Sequence, residues 1–248
     1  MAKKSGLGQQ IFVNGYDLSG DVATIDNAGS PRELLDTTAL NASAHERVMG
    51  LSDGNIGVSS WFNDASEQEH AAYSGLPTTD RIVMWVFGAT RGDVAACLVG
   101  KQINYDPSRG SDGSLTFTID TQGDGVPLDW CNTLTTGKET HSSAGNSTSR
   151  DDSAATSAGM VAYLEITDCD SGTPTVTIQQ SSDNGSSDAF ATVLSFSAVG
   201  YASAPTAERV TVSGAVERYL RITTTGTFAN LDFCVSTRRG TSQDDVTF

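Results

Sequence analysis

The side chains that could do chemistry are few, and their spacing works against it. Three histidines occur, His45, His70 and His141. His45-Glu46-Arg47-Val48-Met49 ends in Met where the zinc-protease pattern H-E-x-x-H needs its second histidine. Cys97, Cys131, Cys169 and Cys234 are scattered, with no C-x-x-C pair and no histidine at ligand spacing, so no metal site is expected. Cys97 lies in an apolar run and reads as a core residue. Cys169 and Cys234 could face each other in one domain, but a reducing compartment works against a disulfide. Asp168-Cys169-Asp170-Ser171-Gly172 and Asp183-Asn184-Gly185 lack the spacing and the closing Glu of a calcium loop; ordinary β-turns account for them. No G-x-S-x-G, P-loop or strand-borne G-x-G-x-x-G is present. Carboxylates are so frequent that no pair stands out as acid and base. The expectation is a protein that is not an enzyme and carries no cofactor.

The elements that would position a site point elsewhere. The 248 residues have room for two domains, and a hydrophobic content of 38% with abundant Ser, Thr and Gly suits short strands and turns. The formal charge is −15, from 30 acidic and 15 basic residues. It is spread: residues 1–135 hold 8 basic and 17 acidic side chains, and residues 136–248 hold 7 and 13. Without a basic patch, tight nucleic-acid binding is not expected. Solubility is one explanation; a surface past which DNA slides without sticking is another. No apolar segment follows MAKKSGLGQQ as a signal peptide would require, and the apolar runs 82–87 and 94–99 are too short to cross a membrane. The expected protein is soluble, made in a cytoplasm and free of membranes, with residues 1–10 flexible until assembly.

Along the chain, strands are expected at 10–13 and 16–26 around the turn Asn14-Gly15. Residues 55–62 form a cleaner strand, with Ile56, Val58 and Phe62 on one face and Asn55, Gly57, Ser59 and Trp61 on the other. Between them, 27–54 reads as a long loop broken by Pro31, Gly50 and Gly54. It carries Leu34, Leu35, Leu40, Val48, Met49 and Leu51, too many apolar side chains to leave in water. With Pro31, His45 and Arg47 they are the expected contact with another subunit. A short helix should run from an N-cap at Asp64, with Glu67 completing a capping-box-like pair, to about residue 73. Residues 81–87 read as a buried strand and 93–105 as its hairpin partner, while 106–113 is dense in turn formers. In 114–121, Leu115, Phe117 and Ile119 alternate with Ser114, Thr116, Thr118 and Asp120. The polar faces at 55–62 and 114–121 carry one Asp and no Lys or Arg. Asn55, Ser59, Ser114, Thr116, Thr118 and Asp120 therefore suit either a Thr-rich outer sheet or the wall of a channel for a polyanion.

Residues 136–158 contain no apolar side chain larger than Ala and read as a flexible linker. Beyond it, six strand candidates (160–167, 174–180, 189–198, 209–212, 218–225 and 231–237) argue a small β-sandwich over 159–248. The fold class is mainly β: an N-terminal antiparallel barrel or sandwich with one short helix and a long loop, then an Ig-like or jelly-roll-like sandwich.

The succession Asp17-Leu18-Ser19-Gly20, Leu35-Asp36-Thr37-Thr38, His45-Glu46-Arg47-Val48, Gly50-Leu51-Ser52-Asp53-Gly54 and Trp61-Phe62-Asn63-Asp64 resembles the tail tube (major tail) proteins of long-tailed bacteriophages. The match spans about residues 10–125 and lies in word order. Residues 176–185 and 216–221 look like sandwich domains appended to phage structural proteins. The resemblance implies hexameric rings whose sheets join into one barrel, stacked into a tube. That tube holds the tape measure protein, passes DNA without sequence-specific binding, and meets terminator and baseplate or tip proteins. It would sit in the virion after assembly in the host cytoplasm, with the loop 27–54 reaching the next ring and the sandwich on the outside. Two rivals remain. A head-decoration or adhesin-type protein would bind host glycans through Tyr163, Phe190, Tyr201 and Tyr219. An extracellular hydrolase accessory domain would need a secretion signal.

Overall fold

The computed structural model describes residues 5–241, so the expected flexibility of residues 1–4 and the end of the sandwich at 242–248 lie outside the described residues. The chain is built from antiparallel strands with one short helix. Strand β1 (Gln10–Val13) returns through Asn14-Gly15 into β2 (Tyr16–Asp17). Both turn residues have positive φ, 50° and 88°, the geometry that an Asn-Gly hairpin turn supplies.

The stretch 27–54 is not an irregular loop. Strand β3 (Val22–Gly29) continues into β4 (Arg32–Asp36), and β5 (Arg47–Ser52) leads into β6 (Asn55–Trp61). β3 pairs with β6 and β4 with β5, so residues 22–61 form one long hairpin broken near its middle. Pro31 lacks the N–H needed to continue the ladder. Gly54 turns where a Cβ would collide with Leu128 and Leu98. A register shift between Arg32 and Leu34 hides the alternation of β4. The outer turn is held by Asp36, whose Oδ1 accepts the Thr38 N–H at 2.9 Å, while the Thr38 hydroxyl accepts the Glu46 N–H at 2.9 Å.

The helix α1 (Glu69–Tyr73) starts later than Asp64 predicts. Its N-cap position is Gln68, which offers no side-chain bond, and Glu67 has φ 62°. The capping group comes from far away: Asp21 Oδ2 accepts the Glu69 N–H at 3.0 Å and its Oδ1 accepts Asn63 Nδ2 at 2.8 Å. β7 (Arg81–Val86) and β8 (Val94–Gln102) form the expected hairpin. β9 (Asp106–Arg109) occupies the first half of the predicted turn and pairs with β10 (Leu115–Gly123). Leu115, at the end of the row it shares with Phe117 and Ile119, is 37% exposed.

β11 (Asp129–Thr133) is followed by the short strands β12 (Glu139–His141), β13 (Gly145–Asn146) and β14 (Arg150–Asp151). The remaining strands are β15 (Met160–Gly172), β16 (Thr175–Ser181), β17 (Ala191–Ser195), β18 (Thr206–Val212), β19 (Tyr219–Thr225) and β20 (Phe228–Arg239). These match the six strands expected there. Among the described residues, no helix is long and apolar enough to cross a membrane.

The large sheet runs β18-β15-β20-β11-β8-β10-β6-β3, so it passes from the last third of the chain into the first without a break. A second sheet, β13-β19-β16-β17, lies over β15 and β20 to make the C-terminal sandwich. One apolar core fills that sandwich, around Leu164, Ile178, Ile222 and Phe233. Another packs Ile56, Val58, Phe117 and Ile119 against Tyr73 of α1. A third joins the halves: Phe12, Met84, Val86, Ala95, Cys97 and Cys131 meet Val161, Tyr163 and Cys234.

The segment 136–158 is correspondingly not a slack tether. β12 pairs with β20, while β13 and β14 pair with β19. Arg150 reaches back to the carbonyls of Asn132 and Thr133 at 2.7 and 3.0 Å. Polar bonding to neighbouring strands orders this stretch where apolar side chains are missing. All four cysteines are free and buried. Cys169 lies opposite Leu231 and Cys234 opposite Glu165, so the two do not face each other.

Candidate assembly surfaces

Two surfaces emerge from the first half of the chain. The first is the outer hairpin, β4 with β5, which stands clear of the body. Opposed residues on antiparallel strands share a face, so Leu34 and Met49 lie on one side and Leu35 and Val48 on the other. Neither side is covered: Leu34 is 54% and Met49 57% exposed, and Leu40 and Leu51 are almost fully so. Pro31, His45 and Arg47 are exposed as well. The predicted contact residues are thus gathered on one projecting element. His45 Nδ1 sits 3.2 Å from Asp36 Oδ2. The Thr38 hydroxyl and N–H, with His45 beside them, hold the Asp36 carboxyl below its usual range. A two-stranded hairpin bare on both faces is marginal on its own.

The base of this hairpin is firmly tied. Ser30 Oγ and Ser52 Oγ are 2.6 Å apart, and the Asp53 N–H donates to the Pro31 carbonyl at 2.9 Å. Gln122 Nε2 bonds both the Asp53 carboxylate and the Gly54 carbonyl.

The second surface is the polar face of four adjacent strands, β9-β10-β6-β3. Cross-strand register fixes its rows. Asp106, Thr118, Ser59 and Thr24 form one row; Asp120, Gly57 and Asn27 the next; Gln122, Asn55 and Gly29 a third. Thr116 lies beside Trp61 and Ser108. Of the predicted channel-facing residues, Asn55, Ser59, Thr116, Thr118 and Asp120 therefore share one face. Ser114 sits in the β9–β10 turn, where its hydroxyl donates to Asp112 at 2.7 Å. The face is laced by side-chain bonds: Ser59 Oγ to Asp26 Oδ2 at 2.7 Å, and Asn104 Nδ2 to Asp120 Oδ2 at 3.0 Å. Gly57 is required beneath it, since a Cβ there would fall 2.7 Å from Asp120 Oδ1.

Sequence reasoning missed Asp26 and Asp106, which make this face more acidic than two strands alone suggest. Asp26 arrives through register shifts in β3. Asp106 arrives on β9, for which Pro107 was a usable signal, because proline in a strand marks an edge. Lys101, at the margin beside Gln122, is neutralised by Asp80 at 2.6 Å and Asp124 at 3.4 Å. On one side β3 has an open edge; on the other, β9 has an open edge along Asp106–Arg109, while β10 continues into β8 at Thr121–Gly123.

Among the described residues, His141 and His70 each sit in a hydrogen-bonded polar network. Glu139, His141, Ser147 and Thr224 form a network in which His141 Nε2 lies 3.1 Å from Ser147 Oγ and Nδ1 lies 2.8 Å from Thr224 Oγ1. This is not a charge-relay order, because the Ser147 hydroxyl donates directly to Glu139. His70 meets the Tyr105 hydroxyl at 2.9 Å, which donates to Glu69 at 2.9 Å. Among the described residues, no group of three or more His, Cys, Asp or Glu is placed to hold a metal ion. Of the aromatics named for glycan binding, Tyr163 is buried, while Phe190 and Tyr219 lie under Arg221 and Arg218 at 4.0 and 4.8 Å. Tyr201 is exposed.

No family model matches the sequence, and no curated protein resembles it in sequence. Among solved structures, the chain is similar to one from the tail of an empty gene transfer agent particle refined with C6 symmetry, at TM-score 0.39 and 15% identity. That match covers 52% of this chain and 98% of the other. It is similar to a chain of the native gene transfer agent virion at TM-score 0.41 and 14% identity, with the same coverage. It is also similar to the Dit protein of phage SPP1, described as a hub of the adsorption apparatus, at TM-score 0.34 and 10% identity over 93% of this chain and 98% of that one. With scores this far below 0.5, the likenesses assign neither a family nor a role.

Proposed function

We propose that the protein is a structural virion protein of a phage tail that self-assembles into rings and a tube. The observation that carries this reading is the four-stranded polar face flanked by two open edges. β3 and β9 run in opposite directions, so β3 of one copy and β9 of the next would extend the sheet with its antiparallel alternation kept. Pro107 limits that ladder to the residues on either side of it. Six copies would give about 24 strands, wider than the 16–18 that already leave an aqueous channel in porins. The lining would then be Asn55, Ser59, Thr116, Thr118 and Asp120 with Asp26 and Asp106. Small and acidic side chains do not trap a polyanion through phosphate contacts, which suits passage of DNA and of a tape measure protein.

The sequence resemblance to tail tube proteins supports the same reading, and it supplies the ring number, the terminator and tip partners and the virion location. The test is negative-stain microscopy of the purified protein. Rings or tubes with an axial hole are expected. Monomers or trimers at high concentration would defeat the proposal, and single rings that never stack would defeat the tube while leaving the ring.

A further inference from the structure

We propose that a trough at the junction of β11, β20 and the segment 149–156, walled by Trp130, binds an acidic glycan, one whose sugar units carry a single anionic group. The site stands whether or not rings form. Trp130 lies opposite Ala96, which packs with Leu98, Phe117 and Ile119. It is therefore on the reverse of the sheet face that holds Thr118 and Asp120.

The trough consists of two adjoining cavities of about 570 and 520 Å³, which share Asn132, Arg150 and Asp152. Each is of the size that ordinarily holds a small ligand. Trp130 is 50% exposed, yet its ring is fixed from behind. Phe87 meets it edge-on at 5.9 Å, and Trp85 lies 4.3 Å from Phe87. The floor is Arg150, whose Nε and Nη2 reach the two Asp152 oxygens at 2.7 and 3.0 Å. Its Nη2 also donates to the Thr237 hydroxyl at 2.9 Å, so with the Asn132 and Thr133 carbonyls all five N–H donors are engaged. A rigid floor and a backed indole lose little freedom when a ligand arrives.

A pyranose ring has an apolar face of C–H groups and a rim of hydroxyls. It fits an open aromatic face surrounded by planar hydrogen-bonding groups. Such groups remain available beside Trp130. Asn132 donates Nδ2 to the Gly92 carbonyl at 3.0 Å, which leaves its Oδ1 to accept. Arg238 gives Nη1 to Asp129, which leaves Nε and Nη2 to donate. Charge selects the acidic class. Arg239 is 3.5 Å from Asp152, the carboxylate that Arg150 already holds at 2.7 Å. Neither arginine has another carboxylate among the described residues, so the trough keeps one positive charge in a chain of formal charge −15. Arg239 Nε is also buried without a hydrogen-bond partner among the described residues. A uronate or a phosphodiester beside it would answer that charge, and two joined cavities suit several linked sugars.

The experiment applies the purified protein to immobilised oligosaccharides of three kinds: uronate-containing, phosphodiester-linked and neutral. Tetrasaccharides that bind are then titrated calorimetrically. Anionic chains of one or both kinds are expected to bind, with neutral chains of equal length weaker by about tenfold or more. Trp130→Ala should weaken binding by about tenfold or more, while Trp130→Phe keeps an aromatic face and most of the affinity. Bound saccharide should also shield tryptophan from acrylamide quenching in wild type and not in Trp130→Phe, a readout that needs no truncated side chain. No anionic chain binding at about 1 mM, or Trp130→Ala binding as wild type does, would overturn the site. Equal binding of neutral and anionic chains would overturn the acidic class.

Discussion

Tyr163 of β15 donates a 2.6 Å hydrogen bond to the carboxylate of Asp129 on β11, and both residues are buried. The carboxylate also receives Arg238 Nη1 at 2.7 Å, and Arg209 Nε donates to the Tyr163 oxygen at 3.2 Å. One buried polar network thus spans the two halves. Tyr163→Phe keeps the ring and removes a donor from a buried carboxylate, so a loss of about 1–3 kcal/mol is expected. Urea unfolding followed by tryptophan fluorescence and by far-UV circular dichroism would measure it. The two probes should give one coincident transition; separate transitions would mean that the halves unfold independently.

Cutting the chain at residue 135 tests the shared core more severely. The first half would lose Val161, Tyr163 and Cys234 from over Phe12, Met84 and Cys97. Fragment 1–135 is expected to aggregate or to bind ANS as an expanded state, not to assemble into a thinner tube. A soluble fragment with native near-UV dichroism would contradict this.

Glu165 gives a pH dependence with a definite sign. Its side chain is fully buried, Oε2 accepts the Gly15 N–H, and Oε1 has no hydrogen-bond partner among the described residues. Burial pushes the carboxyl well above its usual range, against a smaller opposing effect of the Gly15 bond. The unfolded chain therefore releases this proton first, and stability falls as pH rises above the ordinary carboxylate value until the folded group ionises. Glu165→Gln should match wild type near pH 4 and exceed it at pH 7 by more than about 1 kcal/mol. Equal stability of the two proteins at pH 7 would contradict the assignment.

Glu139 behaves in the opposite sense. Burial alone would raise its pKa, but bonds from His141 and Ser147 and the charge of Arg91 at 3.1 Å outweigh that and hold it at about 2. Its contribution is present above the ordinary value of 4.5 and is lost as pH falls from there towards 2. Glu139→Gln should cost up to about 3 kcal/mol at pH 7 and progressively less below pH 4.5. A cost independent of pH in denaturant titrations would refute it.

Replacing residues 31–53 by Asn-Gly should leave a closed β3–β6 hairpin, because the pairing from Val22↔Ser60 to Gly29↔Asn55 is untouched. The shortened protein is expected to keep its far-UV spectrum and to form rings that do not stack. Normal tubes from it would remove the hairpin from assembly.

Much of the architecture was legible in local pattern. Strands such as 81–87 and 114–121 announce themselves by apolar runs or alternation, and the six C-terminal strands are separated by strong turn residues. What failed depended on partners far away in sequence. The helix start is set by Asp21, distant along the chain, so Asp64 looked like the cap. Polar strands such as β12 and β14 exist only because β20 and β19 lie beside them, and composition alone made them a linker. The outer hairpin was hidden by Pro31 and a register shift, although its exposed residues were all named. The polar wall was half seen: alternation gave the rows of β6 and β10, while Asp26 and Asp106 needed the sheet.

The continuity of the large sheet has a mechanical meaning. β11 is bonded to β8 along one edge and to β20 along the other, with Asn132 opposite Thr237 and Thr133 opposite Ser236. A force applied to the C-terminal sandwich is carried by backbone hydrogen bonds loaded across the strands, with no soft joint in between. Torque on the sandwich would therefore turn the polar face with it.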